Sequence, residues 1–199
     1  MSSFDDRARE WDKDKVHMER SIAIAGALEK MIPLKREMKA LEYGAGTGIL
    51  SFFLKDRFSE ITLMDSSGEM IKVCKEKVEF YHANHIKPLW IDLEHTGYNG
   101  KFGIIYNQMV MHHVNDVDAM LKKFYSLLNP GGYLAIADLF TEDGSFHGLE
   151  VEVHHGFDPE DMIKKLISFG FKTAEYKNCF VMKRDSGKDY PIFLLVAVK

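Results

Sequence analysis

The sequence predicts an α/β fold, with a seven-stranded, mostly parallel sheet, an antiparallel C-terminal hairpin and helices on both faces. Two observations predict it. Short apolar runs that look like strands alternate with helical patterns along most of the chain, and repeated βα units of this kind form parallel sheets. The last two strand-like runs are separated only by a short polar turn, which is typical of a hairpin. The length of 199 residues favours one domain, which we expect to span residues 1–199.

The first half of the chain contains an N-terminal helix and three strand-like runs. Apolar residues recur at helical spacing over residues 14–32, and we expect residues 1–39 to form a helical cap that precedes the sheet. Further helical patterns cover Ile49–Leu54 and the residues after Ser66, which has the spacing of a capping box with Glu69. The strand-like runs lie at 40–43, 60–64 and 87–91.

The second half continues the alternation and ends in the hairpin. Asp116 or Asn115 can cap a helix after the fourth strand, and Asn129–Gly132 ends that helix with turn residues. The clearest helix covers residues 159–169, with Asp158 as its N-cap and proline at its first position. The remaining strand-like runs lie at 102–107, 132–138, 171–176, 180–183 and 192–198.

Composition and charge exclude several classes of protein. The net charge of −4 argues against a nucleic acid partner, because binding to phosphates needs a basic face. The apolar runs at 22–28 and 192–198 are too short to span a bilayer, and the N-terminus lacks the apolar region of a secretory signal. Cys74 and Cys179 form no Cys-x-x-Cys pattern, so we expect free thiols in a reducing cytoplasm. We expect a cytoplasmic monomer or homodimer.

Residues 41–51 are the most informative stretch of the chain. Gly44, Gly46 and Gly48 follow a short apolar strand and precede an apolar helical run, with the acidic Glu42 two places before the first glycine. Glycine lets the backbone approach a ligand closely, and a helix that begins at such a turn aims free N–H groups at it. The third glycine comes one residue earlier than in the dinucleotide fingerprint Gly-x-Gly-x-x-Gly. The turn therefore predicts a site for a nucleotide-like ligand.

Polar residues close every predicted parallel strand after the glycine turn. The second strand ends in Asp65 and the third in Asp92; the fourth ends in Asn107 and Gln108, and the fifth in Asp138. Ligands of open α/β sheets bind beyond the carboxyl ends of the strands. This pattern predicts a ligand site along that edge of the sheet.

These motifs, taken in order, resemble those of the class I S-adenosylmethionine (SAM) dependent methyltransferases, over about residues 4–198. Gly-x-Gly-x-Gly after an acidic residue resembles motif I of that family, and Asp65 follows at the position of the family's ribose-binding acid. Asn107–Val114 and Leu127–Leu134, which contains Asn-Pro-Gly-Gly, resemble the segments around strands four and five in the small-molecule (type 11/12-like) branch. Phe4–Asp12 resembles the N-terminal segment that folds over the cofactor.

The resemblance implies a Rossmann-like fold, SAM as cofactor and S-adenosylhomocysteine as product. It implies that Glu42 helps to hold the ammonium group of the methionine moiety, and that the glycine turn passes beneath that moiety. It also implies that Asp65 binds both ribose hydroxyls and that Asp92 contacts the adenine amino group. The expected cofactor-binding residues are Glu42, Gly44, Ala45, Gly46, Gly48, Asp65, Ser66, Met70, Asp92, Leu93, Asn107 and Gln108.

The histidines and the long connection at 139–157 are the candidates for the acceptor side. Such a connection is often a lid, and we expect it to border the acceptor substrate. His113, His154 and His155 are the candidate general bases. Adjacent side chains diverge on a strand or a helix, so neither His-His pair alone is expected to chelate an ion, and we expect no metal site.

The expected function is transfer of a methyl group from SAM to a small organic acceptor by in-line displacement. The sequence lacks the Asn/Asp-Pro-Pro-Tyr/Phe motif of enzymes that methylate nucleic acid or amide nitrogens, and it lacks clustered acids that would suggest magnesium. Two alternatives remain at this point. One is a SAM-binding regulatory protein without catalysis, and the other is an NAD(P)-dependent oxidoreductase, which shares the βαβ turn and Asp65.

Overall fold

The computed structural model describes residues 5–147, 152–184 and 187–199, and within them it has one seven-stranded sheet. The strand order is β3-β2-β1-β4-β5-β7-β6, with β1 to β5 parallel and β7 antiparallel to both of its neighbours. The predicted fold class is therefore confirmed. The strands are β1 Lys39–Tyr43, β2 Glu60–Asp65, β3 Ile86–Trp90, β4 Phe102–Gln108, β5 Leu128–Leu139, β6 Thr173–Lys183 and β7 Asp189–Val198.

The helices cover the two faces of the sheet. Buried residues of α1, α2 and α3 belong to one apolar cluster, and buried residues of α4 and α5 belong to a second cluster on the opposite face. The helices are α1 Lys15–Met31, α2 Ile49–Phe53, α3 Gly68–Phe80, α4 Val117–Leu127 and α5 Pro159–Ser168. None of the helices in the described part of the chain has the length and apolar character needed to cross a membrane.

Three details differ from the sequence-based prediction. Ser67, not Ser66, caps α3, because its hydroxyl accepts the Met70 N–H at 3.2 Å. The turn residues Asn129–Gly132 lie within β5, since the backbone there hydrogen bonds to Lys199 at the end of the chain. The two runs expected at 171–176 and 180–183 form one strand, β6, which is interrupted only by a bulge.

The connection after β5 is fastened at both of its ends. Phe140 pairs with Phe157 in a parallel bridge, and the Phe157 N–H donates to the Leu139 carbonyl at 2.9 Å. Gly156 sits beside this bridge with φ +71°, and a Cβ there would collide with the Phe140 carbonyl oxygen. The expected lid at 139–157 is therefore anchored beside the sheet at both ends; its residues 148–151 lie outside the described part of the chain.

A pair of glycine-to-alanine variants tests this anchoring. Gly156→Ala is expected to lower the free energy of unfolding by more than the ~1–2 kcal/mol that a left-handed conformation alone costs an L-residue, because the side chain also collides with backbone. Gly26→Ala, in the interior of α1 with open space around it, is expected to raise the free energy of unfolding by ~1 kcal/mol. Denaturant unfolding of both variants checks this. Equal effects in the two variants would contradict it.

Candidate functional site

A cavity of about 490 Å³ opens at the carboxyl ends of the parallel strands. The end of β1 and the glycine turn form one wall, and residues that follow β2, β3 and β4 form others. The strand order reverses between β1 and β4, which is where open α/β sheets bind ligands. The edge that the sequence predicted is therefore the edge that carries the cavity.

Most of the residues expected to bind the cofactor line this cavity, and three do not. The lining ones are Gly44, Ala45, Gly46, Asp65, Ser66, Met70, Asp92, Leu93 and Gln108. Glu42, Gly48 and Asn107 are not on its wall. Gly48 instead acts as the N-cap residue of α2, with φ +77°.

The Asp65 carboxylate accepts hydrogen bonds from two backbone N–H groups, one of them in the glycine turn. Gly46 N–H donates to Asp65 Oδ2 at 2.7 Å, and Ser67 N–H donates to Asp65 Oδ1 at 2.8 Å. Burial raises the pKa of the Asp65 carboxyl, and these two bonds oppose that shift. Gly44 has φ +62°, and a Cβ there would lie 2.5 Å from Val110. Gly44 and Gly46 both have positive φ, so a side chain at either glycine would disturb the turn that holds Asp65 on the cavity wall.

Glu42 lies beneath the turn and is fully buried. Its Oε2 accepts the Ser51 hydroxyl at 2.5 Å, and that hydroxyl lies 2.7 Å from the Tyr106 hydroxyl. Burial raises the pKa of Glu42 to about 8, so its carboxyl is largely protonated at neutral pH. Its Oε1 is buried and has no hydrogen-bond partner among the described residues. Glu42 therefore lies behind the residues of the cavity wall.

Asn107 and Gln108 face opposite sides of the sheet. Asn107 is opposite Ile136 on β5, is buried, and has no partner for either atom of its amide among the described residues. Gln108 lines the cavity, and its Oε1 accepts the hydroxyl of Ser21 on α1 at 3.1 Å. Adjacent strand residues point to opposite faces, so only one of the two could reach the cavity.

The segment before α1 covers the glycine turn. Arg7 and Trp11 line the cavity, and the Arg7 guanidinium lies 4.9 Å from the centre of the Trp11 ring. Asp12 accepts hydrogen bonds from the Thr47 hydroxyl and, at 2.6 Å, from Lys77 Nζ. The segment is thus fastened by charge-assisted bonds to the turn and to α3, and it forms part of the cavity wall.

Three histidines meet on the cavity wall, and we call His112, His113 and His147 the histidine cluster. Their ring centroids are 4.3 to 5.1 Å apart. His112 Nε2 lies 3.0 Å from His147 Nε2. Burial lowers the pKa of His113 and of His147 to about 4, with the neighbouring His112 as a further cause. Both of these imidazoles are therefore neutral at neutral pH.

A buried carboxylate orients the innermost histidine of the cluster. His112 Nδ1 lies 2.6 Å from Asp138 Oδ1, and both side chains are almost completely buried. Asp138 also accepts the Leu139 N–H at 2.8 Å. The carboxylate favours the tautomer of His112 that has its proton on Nδ1, which leaves Nε2 as the acceptor toward the cavity.

Of the expected catalytic histidines, only His113 lines the cavity. His154 and His155 are exposed; His154 Nε2 lies 3.0 Å from the Val114 carbonyl oxygen, and the His154 N–H donates to the His112 carbonyl. Sequence reasoning missed His112 and His147. Asp138 at a strand end was the available signal for His112, whereas no local signal connects His147 to the others.

Arg20 is a buried cation on the same wall. It is 5% exposed, and its only hydrogen bond among the described residues is a long one, 3.8 Å, from a terminal nitrogen to Met182 Sδ. Among the described residues, the Arg20 Nε has no hydrogen-bond partner and no carboxylate lies within ion-pair distance of the guanidinium, although the charges of Asp14 and Asp138 favour its charged form. Burial lowers the pKa of Arg20 to about 10, so it remains charged at neutral pH. Arg184 lines the cavity nearby, over the Phe146 ring at 4.2 Å.

Several sequence relatives of the chain are named as methyltransferases. The chain is 28% identical over 165 residues to the uncharacterized methyltransferase C1347.09 of Schizosaccharomyces pombe, covering 74% of this chain and 56% of that protein. It is 25% identical over 154 residues to trans-aconitate 2-methyltransferase of Deinococcus radiodurans, covering 75% and 57%. The chain thus spans about half the length of the curated relatives it matches.

Solved structures with the same fold include two methyltransferases. The Haloferax volcanii putative methyltransferase solved in complex with the Trm112 activator matches with a TM-score of 0.78 at 15% identity, over 100% of this chain and 98% of that chain. N-methyltransferase NodS from Bradyrhizobium japonicum, in complex with S-adenosylhomocysteine, matches with a TM-score of 0.71 at 17% identity, over 95% and 90%. At these identities the likeness concerns the fold.

A family model settles the assignment. The model of the methyltransferase domain matches residues 16–176, which is most of the chain. The matched region contains the glycine turn, Asp65 and the polar ends of β2 and β4 around one cavity. The chain therefore belongs to the methyltransferase domain family, and it has the fold of the solved methyltransferases.

Proposed function

We propose that this domain transfers the methyl group of SAM to a small organic acceptor that carries an anionic group. The observation that carries this proposal is the buried Arg20, a charged side chain on the cavity wall that forms no ion pair with the residues that the structure describes. Family membership goes against the oxidoreductase alternative. A SAM-binding protein without catalysis is the alternative that the experiments below must exclude.

An unpaired buried guanidinium calls for an anionic ligand. Desolvating a charge without a partner costs several kcal/mol, and guanidinium groups bind carboxylates and phosphates in a bidentate way. Arg20 keeps its charge at neutral pH, and Arg184 adds a second cation to the same cavity. The name of the D. radiodurans relative, trans-aconitate 2-methyltransferase, refers to an acceptor that carries carboxylates, which supports the same class.

The donor occupies the part of the cavity beside the glycine turn. The residues fit this ligand, since the turn offers close backbone approach at Gly44 and Gly46, and Asp65 presents a preorganised carboxylate for the ribose hydroxyls. Ser66, Met70 and Leu93 line the adenosine region. When bound, SAM supplies an electrophilic methyl group on a sulfonium leaving group.

The residues of the chain then act by positioning. Holding the acceptor in line with the methyl carbon can correspond to an effective molarity of order 10⁵–10⁸ M. Arg20 and Arg184 anchor the anionic end of the acceptor, and its nucleophilic end faces the histidine cluster. Where the nucleophile is a hydroxyl or an ammonium group, its proton leaves toward that cluster. The role of general base that was expected of His113 is therefore shared by the histidine cluster, and His154 and His155 have no such role.

The primary test is a screen with methyl-labelled SAM. Small carboxylic and phosphorylated compounds are expected to accept label, and neutral analogues of the same size are not. Calorimetry with SAM and S-adenosylhomocysteine accompanies the screen. Binding of both without label transfer to any anionic compound would favour a protein without catalysis.

Arg20→Met tests the anion assignment. It is expected to raise the KM of the best anionic acceptor at least tenfold while the Kd of SAM changes less than about twofold, since a lost charge-assisted bond costs ~1.5–3 kcal/mol. Arg36→Met, at an exposed position, is the matched control. A weaker SAM affinity with an unchanged KM would instead assign Arg20 to the donor's carboxylate and contradict the proposal.

Asp65→Asn tests the donor site while keeping the shape of the side chain. It is expected to weaken SAM binding at least tenfold in calorimetry, because a charged acceptor contributes ~1.5–3 kcal/mol per bond. Asp56→Asn, an exposed residue between α2 and β2, is the control. Unchanged affinity in Asp65→Asn would mean that the ribose is held elsewhere.

Glu42→Gln tests the protonation of the buried carboxyl. Between pH 4.5, its ordinary pKa, and about 8, the folded chain keeps a proton that the unfolded chain has lost. The stability of the wild-type chain should therefore fall as pH rises through this window, by up to ~1.4 kcal/mol per pH unit, and the variant should lose that dependence. Urea unfolding at several pH values measures it. Parallel pH profiles for the two proteins would show that Glu42 is already ionised.

A further inference from the structure

We propose that the histidine cluster is a binding site for a divalent first-row transition metal ion, Zn²⁺ being the ion with which we would test it. The site needs one ring nitrogen each from His112, His113 and His147. Binding of the ion does not depend on methyl transfer, whereas a role of the ion in activating the methyl acceptor rests on the proposed function.

The distances within the cluster suit chelation. One candidate ligand atom from each of the three rings lies within 4.8 Å of the others, and the His112 and His147 Nε2 atoms are 3.0 Å apart. Two imidazole nitrogens bound to one tetrahedral zinc ion at ~2.0–2.1 Å lie roughly 3.4 Å from each other. One pair is therefore already near the required separation, and the remaining adjustment is a rotation of half-buried side chains.

Asp138 gives His112 the environment of a metal ligand. Histidines that bind metals almost always donate their other ring N–H to a carboxylate or a carbonyl, which fixes the tautomer and raises the basicity of the ligating nitrogen. The Asp138 carboxylate accepts this bond at 2.6 Å in a fully buried position. With the proton on Nδ1, Nε2 of His112 points its lone pair toward His147 and the cavity.

The charges around the cluster do not favour a cation, so the affinity for a metal ion must come from the imidazole ligands. Asp138 places one negative charge beside the cluster, and Arg20 and Arg184 place positive charge near it. Coulombic attraction alone would not hold a cation there. Neutral imidazole nitrogens, in contrast, are preferred ligands of zinc, copper, iron and nickel. If His112 has its proton on Nδ1, the 3.0 Å contact between the two Nε2 atoms needs a proton on Nε2 of His147. A change of the His147 tautomer to Nδ1–H would then free its Nε2 without net loss of a proton.

Three protein ligands leave at least one position of a tetrahedral ion open. All three histidines line the cavity, so that position is accessible to a ligand inside it. The chemical class that it takes is an oxygen donor of the methyl acceptor, such as a hydroxyl. With the ion bound, the three histidines would be ligands and would no longer accept the acceptor's proton. The zinc ion would instead lower the pKa of the bound hydroxyl strongly, so that the acceptor gives its proton to solvent before its oxygen attacks the methyl carbon.

This site departs from the sequence-based expectation of no metal. That expectation considered the adjacent pairs His112-His113 and His154-His155 separately, and neither pair can chelate alone. The structure adds His147 from the connection after β5, and places it 3.0 Å from His112. It places His154 and His155 outside the cavity wall.

The experiment is metal binding to the purified full chain without SAM. The protein is stripped with a chelator, dialysed, and titrated with Zn²⁺ in a calorimeter, and Co²⁺ is added to a parallel sample to record its visible spectrum. One equivalent of ion per chain and the absorption of tetrahedral cobalt are expected. His147→Ala is expected to weaken Zn²⁺ binding at least tenfold, and Asp138→Asn, which removes the charge that orients His112, by ~10–100-fold.

His155→Ala is the matched control, because it removes an exposed neighbouring histidine. It should leave Zn²⁺ affinity unchanged. Absence of stoichiometric binding in the wild-type chain would overturn the proposal, and so would equal losses in His147→Ala and His155→Ala. Circular dichroism identifies variants that fail to fold. His147 lies outside the helices and strands, so we expect His147→Ala to fold and to report on metal binding alone.

SAM calorimetry on the same metal-free samples separates the two proposals. SAM binding and label transfer without any Zn²⁺ binding would overturn the metal site and leave the methyltransferase function standing. Zn²⁺ binding without label transfer to anionic compounds would overturn the proposed acceptor class and leave the metal site standing.

Discussion

The parallel pairing of β1 with both β2 and β4 is the constraint on which the whole site depends. It aligns Tyr43 with Met64 on one side and Glu42 with Tyr106 on the other. The three strands consequently end at the same edge, where the glycine turn comes within hydrogen-bonding distance of Asp65. The crossover helices leave in opposite directions from this point, which opens the cavity between them. A shift in this register would separate the turn from the carboxylate.

Burying the polar groups of the site away from water costs free energy. Glu42 offsets that cost by keeping a proton and accepting the Ser51 hydroxyl, and Asp138 does so by accepting bonds from His112 and from backbone. Arg20 is less well compensated: the charges of Asp14 and Asp138 favour its charged form, but its one hydrogen bond among the described residues is the long contact with Met182 Sδ. This difference is what supports the proposal of an anionic acceptor, because a buried cation without a hydrogen-bonded carboxylate is costly.

Much of the site could be predicted because strand ends are a local property. Asp65, Asp92 and Gln108 were identified by their place after apolar runs, and all three line the cavity. Local patterns do not predict the direction of side chains. Glu42 on β1 and Asn107 on β4 are buried in the layers on either side of the sheet and are not on the cavity wall, because a strand has two faces whose exposure depends on what packs there. Sequence periodicity alone does not decide which face meets a ligand.

The sequence by itself determined the fold class, the family resemblance and the edge of the sheet that carries the cavity, since alternating elements, glycine spacing and polar strand ends are all local patterns. Only the tertiary structure decided which residues from distant parts of the chain meet on the wall of that cavity. His112 and His147 are 35 residues apart, and Arg20 and Met182 are 162 apart. Contacts between residues so distant in the chain form only when helices and connections pack on the sheet, so no local pattern encodes them. This is why the histidine cluster and the buried arginine became visible only in the folded chain.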